Sequence, residues 1–371
     1  MEFKWILEKN LIFGYDTNKI INQNKIKSIY LFDLDYTLIK TKSGKKFPID
    51  KNDWILLYDN IPNILSNLTN CIIGIITNQK GLKNNQQIIN WIDKIKSIRQ
   101  VIQFDFIFAS LIDDQYRKPI PNSLEFIKKQ FVNVDWNEIN INKKIYYIGD
   151  AFGRQSDFSD TDIKYAINCK FKFKTPEIFF KISNTKESGS ITYPIIDYFL
   201  DLEQKKIFDE LTNLITSHKK ILIVTIGFPA SGKSFLRKEL IKKFPQFKYY
   251  NNDDINDKVQ SIHLINKISL DYDFIIDDDT NLNKSKRETK IKRFETYYKI
   301  GIWFNYEFDV CFHLNWMRMC WYGGKLLPNV VYYTLNKNFD STEIEKGFDN
   351  FIKIKKVFNQ MNLEDKIKYY F

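Results

Sequence analysis

Short apolar runs that end in polar residues recur along the chain, and they predict the strands of an α/β protein. The clearest of these runs are residues 29–32, 71–76, 145–148, 221–226 and 274–276. Segments with helical periodicity lie between them, for example residues 91–99 and 123–129. Buried strands that alternate with helices are typical of a parallel, doubly wound sheet, because each crossover helix packs on a face of the sheet. The hydrophobic pattern therefore predicts this fold class.

The length of the chain and one polar stretch predict two domains. A chain of 371 residues exceeds what a single hydrophobic core usually contains. Residues 184–190 are polar and contain Gly and Ser, as flexible linkers do. We therefore expect a first domain over residues 1–183, a linker over residues 184–200 and a second domain over residues 201–371. In the first domain, residues 11–15 are expected to form an edge strand.

The composition argues against several classes of protein. No apolar run approaches the ~18 residues that a membrane span needs, and the N-terminus lacks the pattern of a signal peptide. The four cysteines are scattered, and with three histidines they form no zinc-binding pattern. We expect a soluble intracellular monomer, nuclear or cytoplasmic, without a disulfide framework.

The charge of the chain has two interpretations. A formal net charge of +11 and a pI of about 9.1 suit a protein that binds a polyanion. The excess of Lys, together with abundant Asn and Ile, is also what a biased base composition would produce on a solvated surface. Only seven of the 56 basic residues are Arg. An arginine inside a motif, such as Arg117, Arg154 or Arg318, is therefore expected to bind phosphate through its planar guanidinium.

A glycine-rich motif, G-F-P-A-S-G-K-S, occupies residues 227–234 between the run 221–226 and a predicted helix over residues 235–244. Its spacing is that of a phosphate-binding loop, in the strand–loop–helix context that the chemistry requires. The glycines allow backbone N–H groups to surround a polyphosphate, and the helix N-terminus adds partial positive charge. The motif predicts that ATP or GTP binds here, with Lys233 on the β/γ-phosphates and Ser234 on Mg²⁺.

A second set of chemically active residues lies in the first half of the chain, mostly where apolar runs end. Its members are Asp33, Asp35, Thr77, Lys118 and Asp150. Residues two apart on a strand project to the same side, so Asp33 and Asp35 are expected to face one site. The carboxyl ends of parallel strands form the edge where open α/β sheets bind their ligands. A lone D-x-D also occurs in turns and helix caps, but the ordered set favours a site.

These motifs resemble those of the haloacid dehalogenase superfamily of phosphatases. The four matching segments are F-D-L-D-Y-T-L (32–38), I-I-T-N-Q (75–79), R-K-P (117–119) and Y-I-G-D-A (147–151). Two further segments narrow the resemblance to the polynucleotide kinase 3′-phosphatase family, namely T-K-S-G-K-K-F-P (41–48) and G-D-A-F-G-R (149–154). The phosphate-binding loop downstream is similar to that of the family's 5′-hydroxyl kinase half. The resemblance implies a haloacid dehalogenase-like domain followed by a P-loop kinase domain.

For the first domain, the resemblance implies a phosphatase in which Asp33 is the nucleophile and forms an aspartyl-phosphate. Asp35 would protonate the leaving 3′-oxygen and then deprotonate water. Thr77 and Lys118 would bind the phosphoryl oxygens. Mg²⁺ would be bound by Asp33, by the backbone carbonyl of Asp35 and by Asp150.

Several positions depart from the family pattern or allow two interpretations. Tyr36 stands where the family usually has Gly, which could crowd the pocket or merely adjust it. Asp157 would support the outer shell of the metal. Asp157, Asp160 and Asp162 could instead be acids at the start of a helix, and we expect that of Asp160. Asn252 stands where the family has an arginine that contacts the acceptor phosphate.

For the second domain, the resemblance implies a kinase site around the phosphate-binding loop. Its nucleotide-binding residues would be Gly227, Ser231, Gly232, Lys233 and Ser234. Asp253 would be the base that accepts the 5′-hydroxyl proton, although a helix N-cap is the structural alternative. Asp278 would lie near nucleotide and metal. Arg318 would reach the transferred phosphoryl group from a lid helix, unless it is a surface arginine.

The leading hypothesis is a bifunctional enzyme that acts on DNA or RNA strand ends. It would remove 3′-phosphate and use ATP and Mg²⁺ to phosphorylate 5′-hydroxyl groups. The products are the ends that a ligase joins, so functional coupling to a ligase is expected. Two alternatives remain open. One is a fused phosphatase and kinase for nucleotides or sugars, and the other is an end-binding scaffold with an inactive site.

Overall fold

The computed structural model describes residues 3–17, 26–182, 189, 200–251, 272–322 and 324–358. The described residues up to 182, with Gly189, belong to one compact unit, and those from 200 onward belong to a second. We refer to these as the N-terminal unit and the C-terminal unit. Of the predicted linker, only Gly189 and Leu200 are among the described residues, so the domain boundaries remain predictions.

The N-terminal unit alternates strands and helices along most of its length. Its described strands are β1 (Phe3–Leu7), β2 (Leu11–Asp16), β3 (Ser28–Phe32), β4 (Ile39–Lys40), β5 (Ile55–Leu56), β6 (Cys71–Asn78), β7 (Phe106–Ser110), β8 (Ile145–Ile148) and β9 (Lys172–Lys174). Its described helices are α1 (Ile61–Ser66), α2 (Asn85–Val101), α3 (Asn122–Gln130), α4 (Trp136–Ile141), α5 (Thr161–Asn168) and α6 (Pro176–Phe179). Strands β4 and β5 pair with each other, and the other seven form one sheet.

The main sheet of the N-terminal unit has the strand order β1-β2-β7-β6-β3-β8-β9. The five strands from β7 to β9 are parallel, and the hairpin β1–β2 is added antiparallel to β7. The predicted edge strand at residues 11–15 is therefore an inner strand, since β2 pairs with both β1 and β7. The sequence pattern did not reveal β1, because a half-exposed edge strand needs no continuous apolar run.

Apolar residues cover both faces of this sheet. On β3, Ile29 and Leu31 belong to one buried cluster and Phe32 belongs to the other, because alternate strand residues point to opposite faces. Helix α2 contributes to the cluster that contains Phe32, and α3 contributes to the cluster that contains Leu31. The predicted doubly wound arrangement is confirmed in this unit.

The C-terminal unit contains a five-stranded sheet with the order β11-β12-β10-β13-β14, all parallel. Its described strands are β10 (Ile221–Ile226), β11 (Lys248–Tyr250), β12 (Phe274–Asp277), β13 (Tyr298–Phe304) and β14 (Asn350–Ile354). Its described helices are α7 (Asp201–Thr216), α8 (Lys233–Lys243), α9 (Lys284–Arg293), α10 (Phe308–Tyr322) and α11 (Asn329–Lys337). Strand β10 lies at the centre and is buried at every residue.

The α/β class predicted from the hydrophobic pattern is thus confirmed in both units. Across the described ranges, no helix combines the length and the apolar composition that crossing a membrane would require.

Two candidate active sites

Four of the predicted phosphatase residues lie at the carboxyl edge of the parallel strands in the N-terminal unit. Asp33 directly follows β3, and its backbone N–H donates to the carbonyl of Ile148 at the end of β8 (2.8 Å). Asp150 follows two residues after β8, and Thr77 is the penultimate residue of β6. Lys118 reaches this edge from the segment between β7 and α3, where its ammonium contacts Asp33. The parallel strands therefore assemble the site from distant parts of the sequence.

Lys118 is the central cation of this site. Its ammonium donates to Asp33 Oδ1, to Asp162 Oδ1 and to the hydroxyl of Tyr147, each at 2.8 Å. Only 3% of the residue is exposed. Burial favours the neutral amine, but the charges of Asp162 and Asp33 outweigh it and raise the pKa of Lys118. Lys118 is therefore a fixed positive charge beside Asp33.

Three carboxylates surround this cation. Asp33, Asp150 and Asp162 each place one oxygen within 4.8 Å of the others. Burial, reinforced by Asp162 against the opposing charge of Lys118, raises the pKa of Asp33 to about 7. Burial, together with the charges of Asp162 and Asp33, raises the pKa of Asp150 to about 8. The three carboxyl groups can carry more negative charge than Lys118 carries positive charge, and every ligand atom that they offer is an oxygen. The three residues therefore fit a hard divalent cation such as Mg²⁺.

The raised pKa values predict how a divalent cation changes stability. Values of about 7 and about 8, above the usual 3.8, mean that the folded protein without metal binds protons more tightly than the unfolded chain. This stabilisation is complete below about pH 4 and is lost as the pH rises towards about pH 8. Mg²⁺ bound by the same carboxylates would replace the protons. We therefore expect Mg²⁺ to raise the melting temperature more at about pH 8.5 than at about pH 6.

Thermal melting with and without Mg²⁺ at the two pH values measures this difference. The variant Asp150→Asn is the control, because it removes one of the two carboxyl groups with a raised pKa and should lose most of the effect. An equal increase in melting temperature at both pH values would contradict the prediction.

Asp35 lies at the edge of the same site and is more exposed than Asp33. The side chain of Asp35 is 42% exposed, and its Oδ2 accepts a hydrogen bond from the amide of Gln79 (2.8 Å). The same amide donates to the hydroxyl of buried Thr77 (3.0 Å). Gln79 therefore links two predicted site residues, and sequence analysis assigned it no role.

Tyr36 adopts a left-handed backbone conformation with φ of 57°. This explains why glycine suits the position, since the left-handed conformation costs a residue with a side chain about 1–2 kcal/mol. The residue is 43% exposed.

Asp157 organises the loop that follows Asp150. Its Oδ2 accepts from the backbone N–H groups of Phe152 (3.1 Å) and Arg154 (3.0 Å), and its Oδ1 lies 2.8 Å from Nε of Arg154. The guanidinium of Arg154 thus forms an ion pair with Asp157, and the expectation that this arginine binds phosphate stays a prediction. Arg117 likewise forms an ion pair with Asp113 (3.1 Å).

The other two acids of this segment have different environments. Asp160 is the N-cap residue of α5 and forms an ion pair with Lys164 (2.9 Å), which fits the expected position at a helix start. Asp162 is 1% exposed and binds Lys118, while its Oδ2 accepts from the N–H of Ala151 (3.1 Å). Asp162 is therefore part of the site, although the sequence left open whether it only starts a helix.

In the C-terminal unit, the phosphate-binding loop joins β10 to α8. Gly232 has φ of 97°, a conformation that glycine adopts without strain, and α8 begins at Lys233 rather than at residue 235. The ammonium of Lys233 donates to the carbonyls of Gly227 (3.0 Å) and Phe228 (2.7 Å). Burial lowers the pKa of Lys233. A buried cation and a helix N-terminus thus adjoin one loop. Ser231 is buried, and Ser234 is exposed at the start of the helix.

The three consecutive acids after the run 274–276 separate into two environments. Lys290 forms ion pairs with Asp277 (2.8 Å) and with Asp279 (3.4 Å). Asp278 is 3% exposed and lies 3.3 Å from Nε of Arg237 on α8, the helix that follows the loop. Its negative charge also acts on Lys233. Asp278 therefore contacts α8, and the charges of both Asp278 and Asp279 act on Lys233 of the loop.

Arg318 and Asp253 complete the predicted kinase residues. Arg318 lies on α10, where its Nη2 donates to Asn315 Oδ1 (3.0 Å) and to the carbonyl of Lys325 (2.8 Å). Its positive charge influences Lys233. Asp253 and Asn252 lie outside the described residues, so the role of Asp253 as a base stays a prediction.

Sequence analysis assigned no role to three residues that contact the predicted phosphatase residues. They are Gln79, Lys94 and Tyr147. Gln79 and Tyr147 stood inside quoted motifs, but only the folded structure brings their side chains to Asp35 and Lys118. Lys94 could have been noticed in the sequence, because it is a charged residue among apolar neighbours at helical spacing.

Comparisons with known proteins agree with this geometry. A family model described as polynucleotide kinase 3 phosphatase matches residues 28–180. A bifunctional polynucleotide phosphatase/kinase of Schizosaccharomyces pombe is 26% identical over 358 residues, which cover 94% of this chain and 84% of the relative. A polynucleotide 3′-phosphatase of Saccharomyces cerevisiae is 30% identical over 208 residues, covering 41% of this chain and 87% of the relative.

Proposed function

We propose, since the chain belongs to the polynucleotide kinase 3 phosphatase family, that it removes 3′-phosphate and phosphorylates 5′-hydroxyl groups at nucleic-acid ends. The N-terminal unit is the phosphatase, and the C-terminal unit is the kinase that uses ATP. The observation that carries the proposal is the contact of Asp33 with Lys118 beside Asp150, in a chain that also contains a phosphate-binding loop. The products, 3′-hydroxyl and 5′-phosphate ends, are the substrates of ligation.

In the proposed phosphatase reaction, a carboxylate oxygen of Asp33 attacks phosphorus and the bond from phosphorus to the 3′-oxygen breaks. Asp35 is the general acid that gives a proton to that oxygen. A water molecule then attacks phosphorus and transfers a proton to Asp35, while the bond from phosphorus to Asp33 breaks. Inorganic phosphate leaves, and both aspartates return to their starting states. Thr77 and Lys118 bind the phosphoryl oxygens.

Mg²⁺ is the proposed metal of both sites. Bound by Asp33 and Asp150, with the carbonyl of Asp35, it would offset the negative charge that a phosphate brings to these acids. In the kinase, Lys233 holds the β/γ-phosphates, and the hydroxyl of Ser234 is the proposed metal ligand.

The surface around the phosphatase site supports a nucleic-acid substrate. Two aromatic rings are highly exposed: Phe47 is 72% exposed and Phe158 is 83% exposed. The ammonium of Lys46 lies 4.2 Å from the ring centroid of Phe158 and 5.7 Å from that of Phe47. Exposed rings beside a cation suit a single strand, because bases stack on the rings and phosphates attract the cation.

Buried carboxylates fix the two loops that present these rings. Asp53 accepts from the backbone N–H groups of Ser43 (2.6 Å) and Ile49 (3.0 Å), on either side of Phe47. Asp157 performs the same function beside Phe158, through the N–H groups described above. The first loop joins β4 to β5, and the second comes after Asp150. The two rings are therefore presented by loops whose backbones are fixed by hydrogen bonds, and the second of these loops leaves the catalytic edge.

The variant Phe158→Ala is expected to raise the KM for a 3′-phosphorylated oligonucleotide about tenfold, because it removes a stacking surface for a base. Hydrolysis of p-nitrophenyl phosphate, which has no strand to stack, should be unchanged. Steady-state kinetics on both substrates measure the effect. Ile141→Ala is the matched control, since Ile141 is an 80% exposed apolar residue on α4 of the same unit. An unchanged KM for the oligonucleotide would favour a small-molecule substrate instead.

A further inference from the structure

Lys94 occupies a position where the helical pattern favours an apolar side chain. It lies on α2 together with Trp91, Ile95 and Ile98, and these four residues form the buried side of the helix. The side chain of Lys94 is 6% exposed. A buried ammonium is unfavourable unless a negative charge compensates it, so its partner indicates why a lysine stands here.

The partner of Lys94 is the predicted acid–base residue. The ammonium of Lys94 lies 3.6 Å from Oδ1 of Asp35, and within the described ranges this is its only ion pair. The other oxygen of Asp35, Oδ2, accepts from the amide of Gln79 (2.8 Å). The carboxyl group of Asp35 is thus held on one oxygen by Lys94 and on the other by Gln79.

The backbone next to Asp35 is also constrained. The N–H of Tyr36 donates to the carbonyl of Ile39 (2.7 Å), and residues 35 and 39 form an isolated β-bridge. A short turn therefore holds the backbone while Lys94 and Gln79 hold the carboxyl group. Asp35 is still 42% exposed at its side chain, so a substrate can reach it.

We propose that Lys94 is a positioning residue, which together with Gln79 orients the carboxyl group of Asp35 towards the leaving 3′-oxygen. This inference rests on the proposed phosphatase function of the N-terminal unit. Lys94 acts on the reaction through the carboxyl group of Asp35. The orientation matters in the step in which the bond from phosphorus to the 3′-oxygen breaks and that oxygen takes the proton of Asp35.

Two substrates with different leaving groups distinguish the positioning role of Lys94 from a role in binding the phosphoryl group or in supporting the fold. A sugar 3′-oxygen is a poor leaving group and needs a correctly placed acid. The phenolate released from p-nitrophenyl phosphate is stable without a proton, so its departure depends little on Asp35. The later hydrolysis of the aspartyl-phosphate uses Asp35 with either substrate, so the two substrates are compared in the first turnover, when the leaving group departs. If Lys94 instead bound the phosphoryl group or only supported the fold, its substitution would lower the rates on both substrates equally, since both carry the same phosphoryl group.

The variant Lys94→Met tests the proposal, because methionine fits an apolar position and removes only the charge. We expect the first-turnover rate of leaving-group release to fall about 100-fold for a 3′-phosphorylated oligonucleotide and to change less than about twofold for p-nitrophenyl phosphate. Lys94→Arg keeps a cation and should restore much of the oligonucleotide rate. Lys96→Met, on the exposed side of the same helix, is the matched control and should behave like the unsubstituted protein.

Gln79→Leu provides a second measurement. It should lower leaving-group release from the oligonucleotide more than from p-nitrophenyl phosphate, and a loss common to both substrates reports the contact of Gln79 with Thr77. Equal losses on both substrates, or no loss on either, in Lys94→Met would overturn the proposal. If the unsubstituted protein released no phosphate from the oligonucleotide, the proposed function itself would fail. Activity of the unsubstituted protein on both substrates therefore distinguishes the two failures.

Discussion

Replacing Asp33 with Ala is expected to abolish the release of 3′-phosphate from an oligonucleotide, with kcat reduced by roughly 10⁴-fold or more. The reason is that Asp33 supplies the attacking oxygen. Among the described residues, Asp162 is the other carboxylate that accepts a hydrogen bond from Lys118. Asp162 cannot replace Asp33, since it is 1% exposed and its oxygens are occupied by Lys118 and by the N–H of Ala151. Initial rates of phosphate release measure the effect.

The kinase activity of the same preparation is the internal control for Asp33→Ala. The phosphate-binding loop belongs to the C-terminal unit, so transfer of phosphate to a 5′-hydroxyl end should continue at the unsubstituted rate. A phosphatase rate close to that of the unsubstituted protein would show that Asp33 is not the nucleophile.

The reciprocal variant, Lys233→Met, is expected to lower the rate of 5′-phosphorylation by roughly 10³-fold. Methionine keeps most of the buried stem but cannot donate to the carbonyls of Gly227 and Phe228 or attract the β/γ-phosphates. Because burial already lowers the pKa of Lys233, a bound polyphosphate is expected to stabilise its charged form. Transfer from labelled ATP to an oligonucleotide with a 5′-hydroxyl end measures the loss.

Lys238→Met is the matched control for Lys233→Met, because Lys238 is an exposed lysine on the same helix, α8. It should retain the kinase rate, and Lys233→Met should retain the phosphatase rate. Retention of 5′-phosphorylation by Lys233→Met would mean that nucleotide does not bind at this loop.

The strands that build both sites could be predicted from the sequence. The bounds predicted for residues 145–148 and 221–226 agree with β8 and β10, because an uncharged run of aliphatic and aromatic residues can be buried only in the centre of a parallel sheet. Asp33, Thr77 and Asp150 follow from the same reasoning, since strand ends meet at one edge. Local sequence therefore specifies where the reactive groups lie along this edge.

Contacts between distant segments could not be predicted in the same way. The ion pair of Lys94 with Asp35 joins α2 to the end of β3, and the contact of Asp162 with Lys118 spans 44 residues. Neither contact can be recognised from the sequence around its two partners, because each contact depends on how helices pack against the sheet. The partner of Arg154 could not be predicted either, because the scarcity of arginine does not distinguish an ion pair within a loop from a phosphate contact, and only the folded structure brings Arg154 to Asp157.

The central claim is that one chain holds two separate phosphate sites that act on opposite ends of a broken strand. The most direct test offers one oligonucleotide, with a 5′-hydroxyl and a 3′-phosphate, and labelled ATP to the unsubstituted protein and to the two variants. The account predicts conversion of both ends by the unsubstituted protein, of the 5′ end alone by Asp33→Ala and of the 3′ end alone by Lys233→Met. Conversion of neither end by the unsubstituted protein, or loss of both activities in one folded variant, would contradict it.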